Sequence, residues 1–147
     1  MWFSTLEYEH WRDWPRVEAG VCRGLWRSIQ RRQSTQKPRL LVVNTDPASQ
    51  PGRHWVCMSV KDGYGEYFDS FGQPPTANFE CYLNRHCSSW TFNERQLQSV
   101  ISRFCGHYCI YYCMLSSRGI DMPKIVSSFT TDTALNDVLV HGFVCRA

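Results

Sequence analysis

The chain has 147 residues, of which 43% are hydrophobic and 20% are charged, a composition typical of one soluble globular domain and not of a disordered chain. Sixteen basic and thirteen acidic residues give a net charge of +3, which does not require a nucleic-acid partner. The longest wholly apolar run, Cys109 to Leu115, is far shorter than the roughly 20 residues that span a bilayer, so we expect no membrane partner.

Residues 1–37 show one interpretable pattern. Val17, Val21 and Leu25 recur at helical spacing and predict a helix over residues 16–30. The arginines near its end form either a solvated helix face or a nucleic-acid patch, and both interpretations stay open. We therefore divide the single domain into this N-terminal region and a main region over residues 38–147.

The main region alternates between strand and helix patterns. Short β-branched or alternating runs predict strands over 40–44, 54–60, 66–71, 90–92 and 97–100. Apolar residues with a period near 3.6 predict helices over 79–86, 105–117 and 132–143.

Two of these strands form a predicted hairpin that brings a histidine close to an acid. Asp62-Gly63 fits a two-residue turn, so the numbers of paired residues sum to 125. His54 and Asp69 are then diagonal neighbours on one face, about 7 Å apart between backbones, within reach of a side-chain hydrogen bond. An acid in this position fixes the tautomer of the imidazole and favours the imidazolium form.

Cys105 is the candidate nucleophile because it opens the clearest helix of the chain. The positive end of a helix dipole stabilises a thiolate there, and Gly106 leaves room for a substrate backbone. Gln98, seven residues upstream, has an amide that could stabilise an oxyanion together with the Cys105 N–H. His107 is excluded as the base, because a residue two positions along a helix points about 200° away.

The eight cysteines do not indicate a disulfide framework or a metal site. The N-terminus has no secretory signal, so we expect an intracellular protein with reduced thiols. Three cysteines four residues apart share one helix face and cannot pair with each other, and no common zinc-ligand spacing occurs. We therefore expect no bound metal.

Four segments occur in a characteristic order: Val42-Val-Asn-Thr45, Gly52-Arg-His54-Trp55, Tyr67-Phe-Asp69-Ser-Phe-Gly72, and Gln98 with a seven-residue step to Cys105-Gly-His-Tyr-Cys109. Together they resemble the adenovirus-type (adenain-like) cysteine proteases of adenovirus-related DNA viruses and Maverick/Polinton transposons. The resemblance covers residues 38–118. The acid here is Asp, where the adenovirus enzymes often have Glu.

This resemblance implies an α/β (α+β) fold of the papain-like, adenain and SUMO-protease type, with a central mixed sheet flanked by helices. It implies hydrolysis of peptide bonds through a thioester at Cys105, with His54 as general base, Asp69 as its orienting acid and Gln98 in the oxyanion hole. Trp55 is expected to cover the imidazole and to line the substrate cleft with Gly106.

The resemblance also implies partners and a location. Family members process viral capsid and core precursors, so we expect such protein substrates, a monomeric enzyme, and a location in the host nucleus or the virion. The adenovirus enzymes use a viral peptide and DNA as cofactors. Cys87 lies where the peptide-pairing cysteine would fall in an ungapped count from Cys105, and a buried, idle thiol is the alternative interpretation.

Two other functions stay open at this point. A deconjugase of ubiquitin-like modifiers would use the same catalytic frame. An inactive module that binds DNA or capsid protein would use the basic N-terminal region and would retain DNA in a salt-dependent way without turnover.

Overall fold

The computed structural model describes residues 39–46 and 53–146, so the predicted N-terminal helix lies outside the described residues. The described part contains four strands and four helices. In chain order they are β1 (Arg39–Asn44), β2 (Trp55–Lys61), β3 (Tyr64–Phe68), α1 (Ala77–His86), β4 (Ser89–Phe92), α2 (Cys105–Ser116), α3 (Met122–Ser127) and α4 (Thr133–Val144). None of these helices is both long and apolar enough to cross a membrane.

The strands form one mixed sheet in the order β1-β2-β3-β4. The first three strands are antiparallel neighbours, whereas β4 runs parallel to β3, because α1 makes the crossover between them. Asp62 and Gly63 form the turn between β2 and β3 with φ angles of 50° and 79°, as a two-residue hairpin turn requires. The pairs Cys57–Phe68 and Lys61–Tyr64 confirm the predicted register of this hairpin.

Helices cover both faces of the sheet. Cys57 and Phe68 point to one face, where they pack with buried residues of α2, α3 and α4. Their neighbours Val56 and Tyr67 point to the other face and pack against the apolar side of α1. This alternation follows from the period of two along a strand, and it buries the hairpin between two apolar layers.

Three predictions of secondary structure need correction. The predicted strand over residues 97–100 is wrong: the backbone N–H groups of Leu97 and Gln98 both donate to the carbonyl of Ser70, so this segment is an irregular connection and not part of a ladder. The third strand ends at Phe68 and not at residue 71, because residues 69–72 form a turn. The helix over residues 122–127 was not predicted.

Candidate active site

His54 and Asp69 meet at the open end of the β2–β3 hairpin. The backbone carbonyl of His54 accepts a hydrogen bond of 2.9 Å from the Thr45 N–H, which ties the residue to the end of β1. The Nε2 atom of His54 lies 2.8 Å from Oδ1 of Asp69, and the Asp69 side chain is only 4% exposed. The imidazole also packs against the ring of Phe71, at 4.9 Å between centroids. The expected contact between histidine and acid is therefore present.

The turn after β3 fixes the acid. The same Oδ1 atom of Asp69 accepts a hydrogen bond of 2.7 Å from the Phe71 N–H, which closes an Asx turn. The N–H of Gly72 donates to the Asp69 carbonyl, and Gly72 has a φ of 68°. A Cβ at Gly72 would lie 2.6 Å from the backbone of Arg95, so both the conformation and the close approach require glycine.

Cys105 is the first residue of α2 and is buried. Burial raises the pKa of the Cys105 thiol. The hydrogen-bonding and charge interactions with His54, together with the backbone N–H groups of Trp55 and Gly106, lower it by more than burial raises it. The pKa therefore lies below its usual value. No acidic side chain occupies the first turn of α2 to oppose the thiolate. These contacts stabilise the ionised sulfur.

His54 carries the positive charge that complements the Cys105 thiolate. Burial lowers the pKa of the imidazole, but the hydrogen bond to Asp69 and the interactions with Cys105 raise it, to about 9 overall. Because Nε2 faces the acid, Nδ1 is the ring nitrogen left for the thiol. This Nδ1 atom is buried and has no hydrogen-bond partner among the described residues. The site therefore favours a thiolate–imidazolium pair over two neutral groups.

Gln98 is fully buried beside this site, and its amide is already engaged. Oε1 accepts a hydrogen bond of 2.7 Å from the Ser70 hydroxyl, while Nε2 lies 3.1 Å from the carbonyl oxygen of Ser102 and 3.0 Å from its hydroxyl. A carbonyl can only accept, so the nitrogen must face Ser102. Donation to an oxyanion therefore requires that Gln98 release one of these two acceptors.

Replacing Gln98 tests its expected role. If its amide stabilises the oxyanion, Gln98→Ala lowers kcat by about 10²–10³-fold. Ser102→Ala removes a competing acceptor and should leave kcat unchanged or higher. Gln96→Ala is the matched control, since the Gln96 amide donates to the backbone carbonyl of Gln98 and, within the described residues, to no other group. Steady-state kinetics would measure all three, and a loss below about tenfold in Gln98→Ala would exclude the role.

The other predicted site residues lie in different surroundings. Trp55 is 38% exposed next to His54, and a Cβ added at Gly106 would meet no atom within 4 Å, so both positions can face a substrate. His107, which the sequence analysis excludes as the base for Cys105, packs against the ring of Phe104. Burial and the charge of His141 lower its pKa.

Cys87 ends α1 on the face of the sheet opposite α2, where it packs against Gly65. Burial raises the pKa of this free thiol, and its expected pairing with a peptide stays a prediction. Cys57, Cys87, Cys105, Cys109, Cys113 and Cys145 are free thiols. Within those ranges, no group of three or more potential ligands is arranged to hold a metal ion.

Sequence reasoning missed the polar residues behind the candidate triad. Asn93 bonds to the backbone of Asp69, Ser70 to Gln98, and the Arg95 guanidinium to the carbonyls of Phe129 and Thr130. No local pattern marks these residues, because their partners are distant along the chain.

The structure is similar to solved structures of proteases. The structure is similar to that of the ASFV pS273R protease, with a TM-score of 0.54 and 24% sequence identity over 71% of this chain and 43% of that one. A second structure of the same protease gives a TM-score of 0.52 at 22% identity. The SUMO protease Ulp1 also matches, with a TM-score of 0.42 and 13% identity over 81% of this chain and 59% of that chain.

The chain shares its fold with the ASFV pS273R protease. The predicted α/β architecture, a mixed sheet flanked by helices, is thereby confirmed. The chain spans less than half the length of the ASFV protease. No family model and no curated protein matches the sequence.

Proposed function

We propose that this chain is a cysteine endopeptidase that hydrolyses peptide bonds through a thioester intermediate. The observation that supports it is the convergence of three side chains from distant elements. An imidazole bound to a carboxylate at 2.8 Å interacts with a thiol at a helix N-terminus, and their pKa values are shifted in opposite directions. Perturbed groups arranged in this way are typical of nucleophilic catalysis.

The proposed reaction has two halves. The Cys105 thiolate attacks the carbonyl carbon of the substrate, and the oxyanion forms near the start of α2. The His54 imidazolium then gives its proton to the departing amine, which leaves a thioester on Cys105. Water, deprotonated by His54, attacks the thioester and releases the acid product and the thiolate.

The natural substrates belong to the same proposal. The sequence resemblance favours capsid or core precursor proteins of a virus or transposon, processed in the host nucleus or virion. The exposed Trp55 and the open space at Gly106 support an extended peptide beside the thiol. A viral peptide and DNA as cofactors, and a monomeric enzyme, are also part of this proposal.

Selective alkylation tests the proposal without a known substrate. Brief treatment with low-dose iodoacetamide at pH 6 should modify Cys105 before the other seven cysteines, because the pKa of its thiol is lowered. Peptide mass spectrometry would locate the label, with the exposed Cys145 as an internal reference thiol. Equal labelling of Cys105 and Cys145 would contradict the proposal.

A further inference from the structure

We propose that Asn93 is a positioning residue, which holds the backbone of Asp69 so that the carboxylate meets His54. This inference rests on the proposed function, because it assigns Asn93 a role in the same thiolate–imidazolium pair. Asn93 follows β4 directly and is 5% exposed. It contacts neither the imidazole nor the thiol by any hydrogen bond found in the structure, so it would act through Asp69.

The amide of Asn93 continues the sheet beyond its last strand pair. The parallel pairing of β3 with β4 ends at Tyr67 and Phe92. Further along, Oδ1 of Asn93 accepts a hydrogen bond of 2.8 Å from the Asp69 N–H, and its Nδ2 donates to the Asp69 carbonyl at 2.6 Å. The side chain thus gives Asp69 the donor and the acceptor that a neighbouring strand would otherwise supply.

This double contact determines where the acid lies. The side chain of Asp69 has two rotatable bonds, and its Oδ1 atom is already shared between Nε2 of His54 and the Phe71 N–H. With both backbone groups held by Asn93, little freedom remains at the carboxylate. A shift of about 1 Å would lengthen the bond to His54 beyond good geometry, and errors of this size can cost about 10²-fold in rate.

Asn93 also joins the acid to the segment that leads to Gln98. Its Nδ2 atom lies 3.2 Å from the carbonyl of Arg95, while the next residue of the acid turn, Ser70, accepts from the N–H groups of Leu97 and Gln98. The turn that contains Asp69 and the segment that contains Gln98 are therefore hydrogen-bonded to each other, and Asn93 lies where they meet.

The position requires an asparagine. It needs one donor and one acceptor a fixed distance apart, which a side-chain amide provides. Aspartate would lack the donor and would add a negative charge beside Asp69. Serine could make one of the two bonds but not both, and alanine could make neither.

The pH dependence of Cys105 alkylation separates a positioning role from a structural one. Loss of positioning weakens the bond from His54 to Asp69, so the imidazolium is less favoured and the thiol is ionised less. We expect Asn93→Ala to raise the apparent pKa of Cys105 alkylation by about one unit, which lowers the alkylation rate about tenfold at a pH well below that pKa. Asn93→Ser should shift it less, and it serves as the test if the alanine variant does not fold.

Asn136→Ala is the matched control. Asn136 is also a buried asparagine that bonds to backbone groups, those of Thr130 and Leu97, but it does not touch Asp69. Both alanine variants should lower Tm, and the pH profile should move only in the Asn93 variants. An unchanged profile in Asn93→Ser, or an equal shift in Asn136→Ala, would overturn the positioning role.

The same measurements distinguish a failure of the Asn93 proposal from a failure of the proposed endopeptidase function. If the unmodified chain shows no preferential alkylation of Cys105 at low pH, the catalytic pair itself is absent. If the unmodified chain alkylates as expected and Asp69→Asn shifts the profile but Asn93 variants do not, the endopeptidase proposal stands and the role of Asn93 is wrong.

Discussion

Cys105→Ala should abolish peptide hydrolysis while the protein remains folded. Removal of the nucleophile leaves no atom to form the thioester, and loss of a catalytic nucleophile typically costs about 10⁶-fold in kcat. The thiol is small, and Cys105 belongs to neither of the two apolar clusters on the faces of the sheet, so we expect Tm to change by only a few degrees. Mass spectrometry of a denatured-protein digest would detect cleaved bonds in the unmodified chain and none in the variant.

Cys109→Ala is the matched control for this experiment. Cys109 lies one helical turn after Cys105 and is buried, but it packs in the apolar cluster under the sheet. Its replacement should cost stability through the cavity it leaves, and it should keep hydrolysis. Full activity in Cys105→Ala, or equal loss in the two variants, would remove Cys105 from the mechanism.

The sequence predicts the parts of the fold whose interactions are local. The Asp62-Gly63 turn sets the register of the hairpin, and that register places His54 near Asp69. The start of α2 at Cys105 is also predictable, because the apolar period changes there. These two local features bring together the three groups of the candidate triad once the hairpin packs on the helix.

The connection before α2 shows why the other parts of the fold and of the candidate site cannot be predicted from local sequence patterns. Leu97 is a buried apolar residue at the start of the predicted strand over residues 97–100. Its carbonyl instead accepts hydrogen bonds from the side chains of Tyr108 and Asn136, on two different helices. Partners so far apart along the chain leave no pattern near Leu97, and the same holds for Asn93.

The short helix α3 was not predicted either, although the sequence contains a signal for its start. Asp121 caps the helix by accepting from the Lys124 N–H at 3.1 Å, and Pro123 lies in the first turn. An acidic cap followed by proline is a recognised helix start. The helix has only six residues, too few for a 3.6-residue period to be visible.

Asp69→Asn should lower kcat by about 10⁴-fold with the fold retained, because loss of the charge and a wrong tautomer of the base have that effect in a catalytic triad. Asparagine has the same shape, and its oxygen can still accept from the Phe71 N–H. The backbone bonds to Asn93 do not involve the changed atoms. What changes is the pKa of His54, which should fall from about 9 toward its ordinary value of 6.5.

That fall predicts how activity and stability depend on pH. Activity requires the imidazolium as proton donor, so the alkaline limb of the rate profile, near pH 9 in the unmodified chain, should move to lower pH in the variant. The raised pKa of His54 stabilises the folded state fully below its unfolded value of 6.5, and this contribution is lost as the pH rises through about 9. The difference in Tm between the two proteins should therefore be largest in weak acid and smallest above pH 9.

Asp137→Asn separates this effect from the general loss of a buried carboxylate. Asp137 is buried and accepts from the Tyr108 hydroxyl at 2.9 Å, but it has no contact with His54. Its replacement should change Tm without moving either limb of the rate profile. If Asp69→Asn and Asp137→Asn behaved alike, with the alkaline limb unmoved in both, the charge on Asp69 would not be what keeps His54 protonated. The thiolate would then have to be stabilised by the α2 N-terminus and its N–H donors alone.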